Sequence, residues 1–215
     1  MRVAIVGATG MIGSRLVLEA SDRGHEVIAV VRGAGRELDL PAGVEVRHAD
    51  VDDRDALAAA VAGADAVIAA VGGGADGRPQ VVVDAARALL EVLPAAGVPR
   101  LLVVGGAGSL EGEDGRQLVD APKFPEAWKP ASLAQRDALA VYRAYDGPLE
   151  WTYLSPADVI EPGERTGSYE TGGDRPVRDA AGDSRISVED YAVAMIDELE
   201  RPRFAGGRFT VGYAG

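Results

Sequence analysis

The sequence predicts an α/β protein with a doubly wound parallel sheet, and three features of the 215-residue chain support this fold class. Short apolar runs alternate with longer helix-forming runs, which is the pattern of buried parallel strands joined by helices. The first apolar run, Val3–Val6, leads directly into a glycine turn, and the sequence after Pro156 becomes rich in glycine, proline and charge. We therefore expect one domain, 1–215, in which segments 156–185 and 200–215 form a small C-terminal lobe.

Six strands and four helices can be placed in order by their apolar runs and by the residues at their ends. Strands are expected at Val3–Val6, Glu26–Val31, Val44–His48, Ala66–Val71, Arg100–Val104 and Leu149–Leu154. Helices are expected at Gly10–Arg23, Asp53–Ala62, Pro79–Ala96 and Pro130–Tyr145. Gly24 and Gly63 follow two of these helices, as glycine often does at a helix end. Asp52 or Asp53 is expected to cap the second helix, and Pro79 suits the first turn of the third.

The region beyond Pro156 offers fewer regular patterns. Its expected elements are short strands at Ser168–Thr171 and Pro176–Arg178, a helix at Tyr191–Glu200 and an edge strand at Arg208–Val211. Ser187 precedes that helix and Asp190 stands three residues later, a spacing that approximates a capping box. We expect this region to fold over the carboxyl edge of the sheet, where open α/β sheets bind their ligands.

Composition excludes several classes of function. A net charge of −12 argues against nucleic acid and anionic membrane surfaces as partners, because both require basic patches. No apolar run approaches the roughly 20 residues that span a bilayer. The chain has no cysteine, and His25 and His48 lack metal-ligand spacing, so neither thiolate chemistry nor a metal site is expected. The first residues form a core strand and not a signal peptide, so we expect a cytoplasmic protein, either monomer or homodimer.

The most informative motif is the glycine turn, which reads G-x-x-G-x-x-G over Gly7, Ala8, Thr9, Gly10, Met11, Ile12 and Gly13. Gly7 permits a sharp turn off the strand, Gly10 allows a pyrophosphate to approach the backbone, and Gly13 allows close helix packing. Free N–H groups at the start of the helix, together with its dipole, favour an anion at this point. A glycine triplet between a strand and a helix therefore predicts a Rossmann fold that binds a dinucleotide.

The choice of dinucleotide depends on the end of the second strand. Sites that prefer NAD usually have an acidic residue there, which binds the ribose 2′-hydroxyl. This chain has Arg32, and an arginine favours a 2′-phosphate by charge and by bidentate geometry. Arg15 and Arg36 could reach the same phosphate, although each arginine could also be a solvated surface charge. We expect NADP(H) to be preferred over NAD(H).

Small residues follow the fourth strand, and they complete the expected backbone surface for the dinucleotide. Ala70, Val71 and Gly72 would let the backbone lie against the ligand, and the glycine run continues to Gly74.

Longer strings resemble a known family. The two-residue spacing of the first glycines resembles the atypical and extended short-chain dehydrogenase/reductases. Three further strings resemble the small bacterial NADH-flavin reductase-type proteins, which are similar to the biliverdin reductase B branch of that family. These strings are Val104–Leu110, Trp151–Gly167 and Ser184–Ala192.

The resemblance implies roles for several residues. An Asp at the position of Asp50 would meet the adenine amino group and Val51 would pack against the ring, although Asp50 could also be a turn residue. Ser109 lies roughly where the family has its catalytic serine, and it could instead be a cofactor-binding residue, a polar loop side chain that touches the dinucleotide or water. Ser155 and Pro156 resemble the segment that passes the nicotinamide, so the C-terminal lobe would be the substrate side.

The usual catalytic pair of the family is missing. Typical members have a tyrosine and, four residues later, a lysine that lowers the tyrosine pKa. None of the six tyrosines here is followed by a lysine at that spacing. Three hypotheses fit this absence: a reductase of a small conjugated acceptor such as a flavin or quinone, a non-catalytic NADP(H) redox sensor, or an epimerase, dehydratase or isomerase that keeps its cofactor bound.

Overall fold

The computed structural model describes residues 1–33, 39–73 and 77–215. In these ranges the strands are β1 (Arg2–Val6), β2 (Glu26–Val31), β3 (Glu45–His48), β4 (Ala66–Ala69), β5 (Arg100–Val104), β6 (Glu150–Ser155), β7 (Val159–Glu161), β8 (Glu170–Gly172), β9 (Arg185–Ser187) and β10 (Gly207–Gly212). Their main sheet has the order β3-β2-β1-β4-β5-β6-β10-β8. Neighbouring strands are parallel from β3 to β10, and only β8 is antiparallel to its neighbour. This is the doubly wound sheet predicted from the sequence, with strand order reversing at β1 and β4.

Helices cover both faces of the sheet, and each face has its own apolar core. The helices in the described ranges are α1 (Met11–Asp22), α2 (Arg54–Val61), α3 (Val81–Ala95), α4 (Lys129–Arg143) and α5 (Val188–Glu200). Alternate side chains of β1 enter different cores: Val3 and Ile5 pack with α1 and α5, whereas Ala4 and Val6 pack with α2, α3 and α4. The alternation follows from the two-residue period of a strand.

Several predicted helix boundaries are confirmed. Asp53 caps α2 by accepting from the Ala56 N–H at 3.0 Å, and Ser187 caps α5 by accepting from the Asp190 N–H at 3.0 Å. Gly24 and Gly63 both adopt a φ of +78° after helices α1 and α2. The approximate capping box is only half formed, because the Asp190 carboxylate accepts hydrogen bonds from other partners.

The C-terminal region differs from expectation in three ways. Pro176–Arg178 is not a strand, and β10 lies between β6 and β8 instead of forming the edge. Strands β7 and β9 pair in a small parallel sheet that no sequence pattern indicated. The connection between β7 and β8 contacts two helices: Arg165 Nε lies 2.7 Å from Glu19 Oε2 in α1, and Thr166 Oγ1 lies 2.6 Å from Asp190 Oδ2 in α5.

Candidate functional site

Two glycines of the turn are required by packing alone. Gly7 has a φ of +84°, and a Cβ there would stand 2.5 Å from the Ala70 carbonyl oxygen. A Cβ on Gly13 would stand 2.1 Å from the Gly7 carbonyl oxygen. Both distances are far below van der Waals contact, so the end of β1, the start of α1 and the end of β4 fit together only with glycine at these positions.

Gly10 is different, because the protein itself does not require it. A Cβ there would meet only the Gly7 carbonyl oxygen, at 3.4 Å, and Gly10 is exposed with an ordinary φ of −72°. It is the N-cap of α1 and provides no side-chain cap, and the first helical bond runs from the Ser14 N–H to its carbonyl at 2.9 Å. The N–H groups of Met11, Ile12 and Gly13 therefore lack intrahelical acceptors. This open, uncapped turn fits a pyrophosphate.

The ends of the neighbouring strands lie along the same edge, because the strands are parallel and in register. Ala70 donates its N–H to Val6 at 2.8 Å, Val71 is half-buried, and a Cβ on Gly72 would meet no atom within 4 Å. Arg32 is exposed immediately after β2. Two residues of the predicted glycine and arginine sets, Gly74 and Arg36, lie outside the described residues.

Asp50 and Val51 follow β3 at this edge. Asp50 is half-buried, and its Oδ1 accepts from the Asp52 N–H at 3.1 Å, which is the geometry of a turn residue. Its other carboxylate oxygen is not used in that bond. Val51 is buried against the core beneath this turn.

Arg15 is engaged with the C-terminal helix. Its Nε lies 3.0 Å from Oε1 of Glu189 in α5, and its Nη1 donates to Ser14 Oγ at 3.2 Å. Glu189 also accepts from the Gly163 N–H at 2.8 Å. Burial opposes ionisation of Glu189, but the Gly163 N–H and Arg15 outweigh it, so its pKa lies below the ordinary value. Arg15 thus joins the glycine turn to the region after β7.

Ser109 lies just beyond β5, in a single 3₁₀ turn at Ala107–Ser109. It is buried, and its Oγ accepts a hydrogen bond from Arg208 Nη1 at 3.3 Å. Arg208 in β10 also contacts the Asp174 carboxylate through Nε at 2.9 Å, and Arg143 in α4 contacts the same carboxylate at 3.1 Å. Sequence reasoning did not identify this cluster, because Arg208 is 99 residues away from Ser109 and no local pattern links them.

The glycines before Ser109 allow close packing on β6 and on α4. A Cβ on Gly105 would stand 2.1 Å from the Tyr153 ring, and one on Gly106 would stand 2.9 Å from the Cβ of Gln135. Helix α4 would carry the missing tyrosine and lysine, and it approaches the loop that carries Ser109 closely. The helix presents Gln135 there and no phenol.

Tyr153 in β6 and Tyr191 in α5 are buried and already hydrogen-bonded. Tyr153 donates its hydroxyl to Gln135, with Oε1 at 2.8 Å, and Tyr191 donates to the Leu154 carbonyl at 2.6 Å. Burial raises the pKa of Tyr142, Tyr153 and Tyr191. Among the described residues, which include both lysines, no tyrosine hydroxyl contacts a lysine. Among these residues, folding therefore brings no tyrosine and lysine together to replace the missing pair.

The end of β6 contains an unsatisfied hydroxyl. Ser155 is fully buried, and its Oγ has no hydrogen-bond partner among the described residues. The adjacent Pro156 carbonyl accepts weakly from Thr210 Oγ1 at 3.4 Å. A buried hydroxyl without a partner is costly, so its position where the nicotinamide segment was predicted is consistent with a polar ligand group there.

The glycine turn, the sheet order and the edge together define a Rossmann protein of the dinucleotide-binding class. The chain matches the family described as NAD(P)H-binding over residues 7–202, and it belongs to that family. The residues described here form no cluster of metal ligands.

Solved structures of similar proteins cover essentially the whole chain. A protein of Burkholderia pseudomallei, named as a proposed exported protein, is 46% identical with a TM-score of 0.89 and covers 99% of this chain and 100% of its own. A proposed epimerase of Bacteroides thetaiotaomicron is 39% identical with a TM-score of 0.90, covering 100% and 97%. A proposed NADH-flavin reductase of Streptococcus pneumoniae is 34% identical with a TM-score of 0.86, covering 99% of each chain. The fold is therefore the Rossmann-like α/β fold of these solved structures.

In the ranges 1–33, 39–73 and 77–215, none of the helices has both the length and the apolar character needed to cross a membrane.

Proposed function

We propose that this protein is an NADPH-dependent reductase of a small conjugated acceptor, such as a flavin or a quinone. The observation that carries the proposal is the combination of an open dinucleotide edge with buried, hydrogen-bonded phenols beside it. The name of the Streptococcus protein supports the same reaction class. The bound dinucleotide would supply the hydride, and the chain's own residues would hold the dinucleotide and orient the acceptor.

The cofactor residues would divide by the part of the ligand they contact. The turn from Gly7 to Gly13 would hold the pyrophosphate on the N-terminus of α1, and Arg32 would bind the 2′-phosphate. Arg15 could join that site only by leaving Glu189. Asp50 and Val51 would flank the adenine; the backbone from Ala70 to Gly72 and the Ser155-Pro156 segment would line the nicotinamide half.

A conjugated acceptor explains the missing acid. Reduction of an ordinary carbonyl requires a proton on the new alkoxide, which the family's tyrosine provides. A flavin or quinone accepts a hydride into an electron-poor ring, spreads the negative charge, and can take its proton from water. Ser109 would then serve as a neutral hydrogen-bond donor.

An epimerase, dehydratase or isomerase is the second candidate, because the Bacteroides protein is named as a proposed epimerase. Buried phenols with raised pKa provide no base for removing an alcohol proton, which argues against it. A non-catalytic redox sensor would bind NADP(H) without turnover.

A cytoplasmic location and a monomeric or homodimeric state remain predictions. Cell fractionation tests the location directly.

Steady-state oxidation of NADPH and NADH with FMN, riboflavin and menadione tests the proposal. We expect turnover with NADPH above the enzyme-free rate, and no turnover with any acceptor would contradict it.

Arg32→Glu should weaken NADPH binding by about 10- to 100-fold, from the ~1.5–3 kcal/mol of charge-assisted hydrogen bonds, and change NADH binding little. Arg87→Glu, on an exposed face of α3, is the matched control. Equal losses for both cofactors would show that Arg32 does not select the 2′-phosphate.

A further inference from the structure

A polar cluster that contains a buried serine and a buried guanidinium lies beside the predicted acceptor side of the sheet. Ser109 and the Arg208 side chain are 4% and 2% exposed, and Arg208 Nη1 lies 3.3 Å from Ser109 Oγ. Asp174 binds Arg208 through its Oδ1, and Arg143 reaches the same oxygen at 3.1 Å. The cluster joins β10, α4 and the loop after β5, and the reaction described above assigns no role to Arg208 or Asp174.

The chemistry of this contact limits the directions open to the Ser109 hydroxyl hydrogen. A guanidinium has only donors, so Ser109 Oγ must accept from Arg208. A hydroxyl carries one hydrogen, and that hydrogen must then point away from the arginine. Within the part of the chain that the structure describes, no residue accepts a hydrogen bond from Ser109. Its O–H is therefore a donor without a protein acceptor among these residues, and the positive charge behind it strengthens it.

Asp174 keeps the arginine in this position. Its carboxylate neutralises a guanidinium that would otherwise be buried without a counter-charge, which is a costly arrangement. The hydrogen bond from Arg208 lowers the pKa of Asp174, so the pair is ionised at neutral pH. The Asp174 carbonyl also accepts from the Glu111 N–H at 2.8 Å, which fastens the loop that carries Ser109.

We propose that Arg208, held by Asp174, is a positioning residue that presents the Ser109 hydroxyl as a hydrogen-bond donor to the acceptor molecule. The inference rests on the proposed reductase function. As the hydride adds to a flavin or quinone ring, NADPH becomes NADP⁺ and negative charge develops on a ring carbonyl oxygen or nitrogen. The Ser109 O–H stabilises that charge, and water delivers the proton that completes the reduction.

A double-mutant cycle separates this role from a structural one. Ser109→Ala should lower kcat with menadione by about 100-fold, as loss of one aligned donor does elsewhere. Arg208→Lys should cause a similar loss in the wild-type background and almost none in the Ser109→Ala background. The Kd for NADPH should change less than about twofold in all three variants. Losses that multiply in the double variant would overturn the proposal, because Arg208 would then act independently of Ser109.

A second pair keeps the test decisive if Arg208→Lys does not fold. Asp174→Asn preserves the shape of the side chain and removes the charge that holds Arg208, so it should show the same dependence on Ser109. Arg116 is an exposed arginine in the loop after β5, where it pairs with Asp114. Arg116→Gln should leave kcat within about twofold of the wild-type value. An equal loss in Arg116→Gln would indicate a general effect on the loop and overturn the assignment.

Binding of FMN to the NADP⁺ complex, followed by flavin fluorescence, distinguishes this inference from the proposed function. Turnover with independent losses overturns the inference and leaves the reductase intact. A second outcome is that FMN affinity falls in Ser109→Ala and in Arg208→Lys, the two losses do not multiply in the double variant, and no assay shows turnover. This outcome supports the donor role of Ser109 and refutes the reductase. If the protein neither binds nor turns over FMN or menadione, both the inference and the proposed function are overturned.

Discussion

The glycine turn and the connection after β7 are ordered by opposite means. Around the turn, apolar side chains and backbone contacts fix the structure: Val3, Ala4 and Ile5 have no exposed surface, and Gly7 touches the backbone after β4. The residues from 161 to 168 are all exposed, and polar groups hold them. Asp190 accepts from Thr166 Oγ1 at 2.6 Å and from the Gly167 N–H at 2.7 Å.

This difference suggests a division of labour. A pyrophosphate site needs backbone N–H groups at fixed positions, and close-packed glycines provide such rigidity. A connection held by ion pairs and hydrogen bonds depends on pH and salt, because its contacts are partly solvated. The cofactor edge should therefore tolerate almost no change in shape, whereas the connection should respond to changes in charge.

The largest expected effect comes from Gly7→Ala. The added methyl would stand 2.5 Å from the Ala70 carbonyl oxygen on a backbone with φ of +84°, so we expect a loss of about 3 kcal/mol or more in the free energy of unfolding. Urea denaturation followed by circular dichroism measures it.

Gly10→Ala is the matched control for that experiment. It should lower the free energy of unfolding by less than about 1 kcal/mol and weaken NADPH binding at least about tenfold, because its methyl faces open surface on the cofactor side. Isothermal titration calorimetry measures the affinity. Unchanged NADPH affinity in Gly10→Ala would place the pyrophosphate elsewhere.

The same contrast explains what the sequence could predict. The strand–glycine–helix unit is local: seven consecutive residues carry the turn. Asp53 likewise caps α2 by accepting from an N–H only three residues further along the chain. The features that the sequence did not predict are contacts between residues far apart in the chain. Arg208 meets Ser109 across 99 residues, and Arg165 meets Glu19 across 146. A long charged side chain such as arginine has many possible partners, and only the folded chain selects among them.

A smaller effect is expected from Asp190→Ala, which tests the polar region. Asp190 is fully buried, and its carboxylate also accepts from the Tyr213 hydroxyl at 2.7 Å. Its loss should cost about 2 kcal/mol and increase amide hydrogen exchange at Gly167 and Ser168, with little change in β1. Glu170→Ala, an exposed carboxylate in β8, is the control. Uniform loss of protection across both regions would refute the separation drawn here.

The smallest expected effect is acid sensitivity of the connection after β7. Hydrogen bonds from Arg165 and Arg23 outweigh burial and lower the pKa of Glu19 below its ordinary 4.5. A carboxyl whose pKa is lower in the folded state contributes stability that is complete above the unfolded pKa and is lost as pH falls through the folded value. We therefore expect constant hydrogen-exchange protection, corrected for intrinsic rates, in residues 162–169 from pH 7 to about 5.5, and a decline below about 4.5.

Arg165→Gln identifies the ion pair responsible for that decline. Because Arg165 is 54% exposed, the variant should cost less than about 1 kcal/mol at pH 7, and protection of the connection should depend less on pH. The β1 amides should keep their protection over the same range in both proteins, since apolar contacts hold that strand. Equal acid sensitivity of β1 and the connection would mean that global unfolding, and not the Arg165–Glu19 pair, sets the response.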